Sequence, residues 1–263
     1  MSVELIIPAI AGWLAGWLIN YLADVLPFAL RLNRPTCQNA ACKTPFSWRD
    51  YLLFRNCRKC GCKRGLRTYA VQILAIIAAV YLWLSPPQEL GFGLGFGLLA
   101  YLLIVTLIDL EHRWILRPLS ITGMLLGSWA GIVTHGWQST LIGAAAGFGM
   151  MFLLYLFGKL FSRLRARRLG NEQENGEETL GSGDVTLAII LGLILGWPLI
   201  WFGLLLGALI AGIISLFIII GLLISRNYKN RALTVFIPYG ACFILGAVLL
   251  VYLPNWIVVL VPK

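Results

Sequence analysis

Residues 91–110 read GFGLGFGLLAYLLIVTLIDL, twenty residues whose single charge, Asp109, waits until the nineteenth position. Roughly 20 mostly apolar residues is the length an α-helix needs to cross the hydrocarbon core of a bilayer. Seven more blocks of this kind flank it, at about 5–28, 69–85, 115–134, 139–161, 185–198, 200–224 and 235–254. The composition agrees. Of 263 residues, 59% are apolar and 12% charged, against about half and about a quarter in an ordinary soluble domain, and the mean hydropathy is +0.84. These figures exclude a soluble globular enzyme, and they exclude a disordered chain, which needs low hydrophobicity. The sequence predicts an all-α polytopic membrane protein with about eight transmembrane helices. The first block is expected to stay as a span rather than be cleaved as a signal peptide. It opens on Glu4 instead of a basic region, and its apolar run passes twenty residues.

The formal net charge of +10 is explained by topology. When the sides of the eight spans are alternated, every Lys and Arg except Lys263 falls on one side. Loops facing the cytoplasm collect basic residues, so both termini are expected on the non-cytoplasmic side of a bacterial inner membrane. No nucleic-acid partner is expected. The sequence then divides into a first transmembrane helix (1–30), a cytoplasmic cysteine-rich loop (31–68) and a transmembrane core (69–263) that carries a second cytoplasmic loop, 162–183. Glycines at small-xxx-small spacing, among them Gly93/Gly97, Gly143/Gly147, Gly192/Gly196 and Gly203/Gly207, let helices approach closely in lipid. Trp13, Trp17, Trp197, Trp201 and Trp256 are expected near the membrane interfaces.

Acids within spans are costly and usually functional. Asp109 closes the third block and Asp184 opens the sixth, so the alternation puts both at the cytoplasmic end of their helices, level with each other. Two carboxylates that meet cannot both ionise easily, so they share a proton. One then takes a proton from water while the other polarises a peptide carbonyl, as in aspartic proteases. Gly181 and Gly183 lack a Cβ, which would let an extended substrate backbone pass close to Asp184. Asp24 can cap, pair with a loop arginine or line the same cavity. Asp50 and Glu111 are expected to face cytoplasmic water.

These residues carry a resemblance. Gly181-Ser182-Gly183-Asp184, preceded by Glu178 and followed by Val185-Thr186-Leu187, resembles the Gly-x-Gly-Asp signature of the type IV prepilin peptidases, membrane aspartic proteases. Ile108-Asp109-Leu110 resembles the segment holding that family's first catalytic aspartate. Ile237-Pro238-Tyr239-Gly240 resembles the opening of its last helix, and Asn20 with Leu26-Pro27 resembles its first-helix motif. The resemblance implies that Asp109 and Asp184 are a catalytic dyad. It implies prepilin or pseudopilin substrates, cleaved between a basic leader and an apolar stem at the cytoplasmic face of the membrane. Many members also N-methylate the new terminus with S-adenosylmethionine. The sequence departs from the pattern at Val25, where the family has Arg, at Gln72, where it has Glu, and at Ile115-Leu116-Arg117-Pro118, where it has Leu/Ile-Pro-Asp.

Five of the six cysteines crowd between Cys37 and Cys62 among many basic residues. Cys37-x4-Cys42 and Cys57-x2-Cys60 match the ligand spacing of structural zinc knuckles. Four thiolates around Zn²⁺ close a tetrahedral site with no open position for catalysis, and a metal compensates for the small core of a loop this short. Cys62 is an alternative to Cys60 as the fourth ligand, because Cys57-x4-Cys62 is also feasible. Prepilin peptidases commonly carry a four-cysteine motif at this place. Cys242, alone in the last block, is expected to be packing.

Two other functions use the same residues. A proton- or ion-coupled transporter could work through Asp24, Asp109 and Asp184, although these gather at one face rather than mid-bilayer, where transport sites usually lie. A non-catalytic pilus or secretion assembly factor could bind partners through the zinc loop. Presenilin-like proteases share Gly-x-Gly-Asp, but they pair it with Tyr-Asp, where this chain has Ile108-Asp109.

Overall fold

The computed structural model describes residues 3–29, 32–37, 42, 44–87, 89–169, 182–224 and 239–253. They form helices and loops, and the one pairing of extended backbone among them is an isolated antiparallel bridge between Thr36 and Pro45. The chain forms two compact units, Met1–Pro118 and Leu119–Lys263.

The first unit holds α1 (Ile6–Ala29), the short α2 (Trp48–Leu52), α3 (Leu66–Leu84) and α4 (Gly91–His112). Helix α1 packs on α3 and α4. Its contact with α3 depends on glycine: a Cβ on Gly12 would lie 2.6 Å from Ile76 Cα, and one on Gly16 would lie 2.9 Å from Gln72 Oε1. Two buried amides tie the same seam. Asn20 Nδ2 donates to the carbonyls of Gly16 (3.0 Å) and Thr68 (3.2 Å), and Gln72 Nε2 donates to that of Trp13 (2.7 Å). Two positions singled out by the motif comparison, Asn20 and Gln72, thus bridge α1 and α3, holding buried polar groups that would be costly unpaired.

The second unit holds most of α5 (Arg117–Leu169), together with α6 (Ser182–Leu195), α7 (Leu199–Ile224) and α8 (Tyr239–Tyr252). A straight helix of the 53 residues of α5 would run for ~80 Å, far beyond a hydrocarbon core of roughly 30 Å. It breaks at Gly136, where φ is 79° and ψ 164°, a conformation essentially reserved for glycine. The arms fold back on each other there, so that a Cβ on Gly131 would lie 2.8 Å from Thr140 Oγ1. The predicted blocks 115–134 and 139–161 are therefore two arms of one helical run. The outer turn expected at His135-Gly136-Trp137-Gln138 is reduced to a single non-helical residue.

The second arm crosses α6 where neither helix carries a bulky side chain. A Cβ on Gly143 would lie 2.5 Å from the Gly192 carbonyl oxygen. At the contact of α7 with α8, a Cβ on Gly207 would lie 2.6 Å from Phe243 Cδ1, and one on Gly246 would lie 2.7 Å from the Gly203 carbonyl oxygen. The small-residue spacing at 143/147, 192/196 and 203/207 is close packing. At Gly93 and Gly97, by contrast, an added Cβ meets no described atom within 4 Å.

Among the described residues, five helical stretches are long and apolar enough to cross a membrane: Ile6–Phe28, Leu66–Leu84, Gly91–His112, Arg117–Leu160 and Leu199–Gly221. The fourth spans two predicted blocks. The apolar parts of α6 and α8, Gly183–Leu195 and Tyr239–Tyr252, are shorter. Large apolar side chains such as Ile7, Leu74, Leu125, Phe157 and Phe217 are exposed along these helices, as lipid-facing residues are. The chain is a multi-pass membrane protein.

Candidate functional site

Asp109 sits in the last turn of α4 and is only 6% exposed. The same helix buries Leu102, Val105 and Ile108, so the apolar stripe that fixes the rotation of α4 carries Asp109 inward. The helix stops at Arg113, in the left-handed region (φ 57°), whose N–H donates to the Asp109 carbonyl at 2.9 Å. Asp184 stands in the first turn of α6 and is half-buried. Gly183 precedes it within that helix. Gly181, Glu178 and most of the expected cytoplasmic loop 162–183 lie outside the described residues, as do Ile237 and Pro238. Asp109 belongs to the first unit and Asp184 to the second.

The cysteine loop is more fully drawn. The Sγ atoms of Cys37, Cys42, Cys57 and Cys60 all lie within 4.8 Å of one another, with Cys37 to Cys60 at 3.6 Å and Cys42 to Cys57 at 3.8 Å. Four sulfurs each about 2.3 Å from a tetrahedral zinc ion would stand ~3.8 Å apart, so the donor set fits such an ion. Backbone hydrogen bonds tie the chain beside the ligands. The Cys37 N–H donates to the Thr44 carbonyl (2.9 Å), and the Gly61 N–H donates to that of Cys57 (2.8 Å). Cys62 stays outside the group of four and turns its thiol toward the Lys63 carbonyl, 3.6 Å away.

Hydrogen bonds from the Thr44 hydroxyl and backbone pull the Cys42 thiol down to about 6. Backbone N–H groups of Cys60 and Lys59 lower Cys57. Crowded thiols cannot all ionise easily, and Cys60 is shifted the opposite way. The Cys62 backbone pulls Cys60 down, but desolvation and the neighbouring sulfurs outweigh it and push it up to about 12. A cation would relieve that repulsion.

Beneath the loop lies a charged and aromatic layer that the sequence concealed. Tyr51, 1% exposed, donates its hydroxyl to Asp24 Oδ2 at 2.6 Å. Arg67 donates through Nη2 to the other oxygen of Asp24 and through Nη1 to Glu111, at 2.9 Å to Oε1 and 2.6 Å to Oε2. Arg64 lies 3.9 Å above the Tyr51 ring, 4.9 Å from that of Phe46 and 4.0 Å from Asp24 Oδ2. Trp17 stacks on Tyr21 at 5.8 Å and joins this layer instead of serving only as an interfacial belt residue. Asp24 therefore pairs with loop arginines, one of the roles open to it.

One sequence expectation needs correction. Asp50 does not face water. It is 3% exposed and accepts from Arg58 at 2.8 and 2.9 Å. Glu111 is exposed, as expected, and is also held by Arg67. Position along a span gave no signal for either pairing, because a basic loop supplies partners that hydropathy cannot place.

These features describe a helical membrane protein with a buried carboxyl group at the end of one helix, a half-buried one at the start of another, and a four-cysteine cluster suited to a metal. Residues 96–220 match the type IV leader peptidase family. The matched stretch includes both Asp109 and Asp184. No curated protein and no solved structure matches it.

Proposed function

We propose that the protein is a membrane aspartic endopeptidase in which Asp109 and Asp184 form the dyad. The observation that carries this reading is that the family match spans both acids, one buried at a helix end and one at a helix start, with Gly183 beside the second. In the dyad one carboxylate takes a proton from water as the water oxygen attacks the scissile carbonyl. The protonated partner gives its proton to the carbonyl oxygen. Collapse of the tetrahedral intermediate breaks the C–N bond, and a proton from the dyad leaves with the new amine. The two acidities belong to the pair and not to either residue.

The substrate is a prepilin or pseudopilin. Its basic leader stays at the cytoplasmic face of the inner membrane while its apolar stem docks among the helices, which brings the scissile bond level with the acids. Cys37, Cys42, Cys57 and Cys60 hold a structural Zn²⁺ that fixes the fold of the loop, with both chain termini on the far side of the membrane. N-methylation of the new terminus with S-adenosylmethionine would be a second activity, read in the same assay as a methyl mass increment. Asp24, which a coupled transporter would have to load and unload, is engaged by Tyr51 and two arginines, and this favours the peptidase. Asp109→Asn and Asp184→Asn should each abolish prepilin cleavage while the protein remains folded. A variant that still cleaves at the parent rate refutes the dyad.

A further inference from the structure

We infer that Arg67 is a positioning residue for Asp109, acting through Glu111; this rests on the reading of Asp109 as a dyad member. Arg67 is the second residue of α3, and its guanidinium bridges Asp24 on α1 and Glu111 on α4. It therefore pins three helices at one level. Arg67 and Asp24 are largely withdrawn from water, with side-chain exposures of 21% and 8%, while Glu111 is more open at 30%. Glu111 lies two residues past Asp109, about 200° round the helix and ~3 Å along its axis. Arg67 thus grips the far side of the turn that carries Asp109.

That turn needs a hold. The helix ends at His112, and the last turn of a helix lacks onward hydrogen-bond partners and frays readily. A planar guanidinium that holds Asp24 through Nη2 and Glu111 through Nη1 fixes direction as well as distance, which a single flexible ammonium does not. The support extends to the cysteine module. Arg64, four residues after Cys60, approaches the same Asp24, and a cavity of about 20 Å³ is shared by Asp24, Cys37, Cys62 and Arg64. The folded loop sets Arg64 and Tyr51 against Asp24, Asp24 orients Arg67, and Arg67 holds the end of α4.

The test is prepilin cleavage by purified full-length protein carrying Arg67→Gln, Glu111→Gln, the double variant and the reversed pair Arg67→Glu/Glu111→Arg. Misplacing a reacting group by about 1 Å costs up to ~100-fold. Each single variant should therefore lose about 10- to 100-fold in kcat with KM and zinc content unchanged. The double variant should be no slower than the worse single, and the reversed pair should recover part of the loss. Should Arg67→Gln fail to fold, Arg67→Lys decides: it keeps the charge without the planar guanidinium and should lose kcat at unchanged KM. Parent kcat in the folded variants, a change in KM alone, or single effects that multiply in the double variant would overturn the inference. Asp109→Asn is assayed alongside. If it cleaves normally, the dyad itself falls; if it is inactive while the Arg67 variants run at full speed, only the role of Arg67 falls.

Discussion

Replacing Asp24 with Asn isolates the layer beneath the cysteine loop. The substitution keeps the shape and removes the charge. In the parent protein this carboxylate accepts from Tyr51 at 2.6 Å and from Arg67, with Arg64 at 4.0 Å, and its side chain is only 8% exposed. Each hydrogen bond to a charged group contributes about 1.5–3 kcal/mol. Asn retains one acceptor oxygen, so roughly one such bond is lost, and Arg64 loses its nearby counter-charge. Arg67 keeps Glu111, which limits the damage. Removing one partner of a buried pair costs about 3–5 kcal/mol, and the partial exposure of Arg67 places the expectation at the lower end, about 3 kcal/mol. For a chain of this size that is a fall in melting temperature of about 6–12 °C. Thermal unfolding of the detergent-solubilised protein, followed by tryptophan fluorescence at constant zinc content, measures it. A melting temperature within about 2 °C of the parent would refute the reasoning, because the charge on Asp24 would then contribute nothing.

Other outcomes follow from the same geometry. Zinc measured by elemental mass spectrometry should be one ion per chain and should drop with Cys57→Ser or Cys60→Ser; Cys62→Ser should leave it unchanged, since that thiol stands outside the group of four. Gly192→Leu should destabilise the protein severely, because no side chain fits against the Gly143 backbone. Gly93→Ala should be neutral or stabilising by up to about 1 kcal/mol, since it gains helix propensity in space that no described atom fills; comparing the two melting temperatures checks both.

What the sequence disclosed and what it hid divide along physical lines. Apolar blocks translate into helices because a lipid-facing chain must satisfy its backbone internally, and α1, α3, α4 and α7 follow their blocks closely. The cysteine spacing was legible because metal-ligand chemistry is local. Gly136 was legible only as an outer turn: hydropathy marks where a span ends and says little about how sharply the chain reverses. The pairings of Asp50, Glu111, Arg64 and Arg67 were hidden for a different reason. Counting basic residues by side explains their location without saying which acid each one meets, and those partners lie up to 44 positions apart along the chain. For Asp109, its place at the end of the α4 block was readable, but the face that the apolar helix turns inward was not. Its relation to Asp184 depends on how helices distant in sequence assemble, which no local pattern encodes.

The most direct test of the account is intact-mass spectrometry of a prepilin co-expressed with the parent protein and, separately, with Asp109→Asn and Asp184→Asn. The account predicts loss of the leader mass, at the bond before the apolar stem, with the parent alone and an unprocessed prepilin with either variant at equal expression. A prepilin that is trimmed normally by either variant, or left whole by the parent, would contradict it.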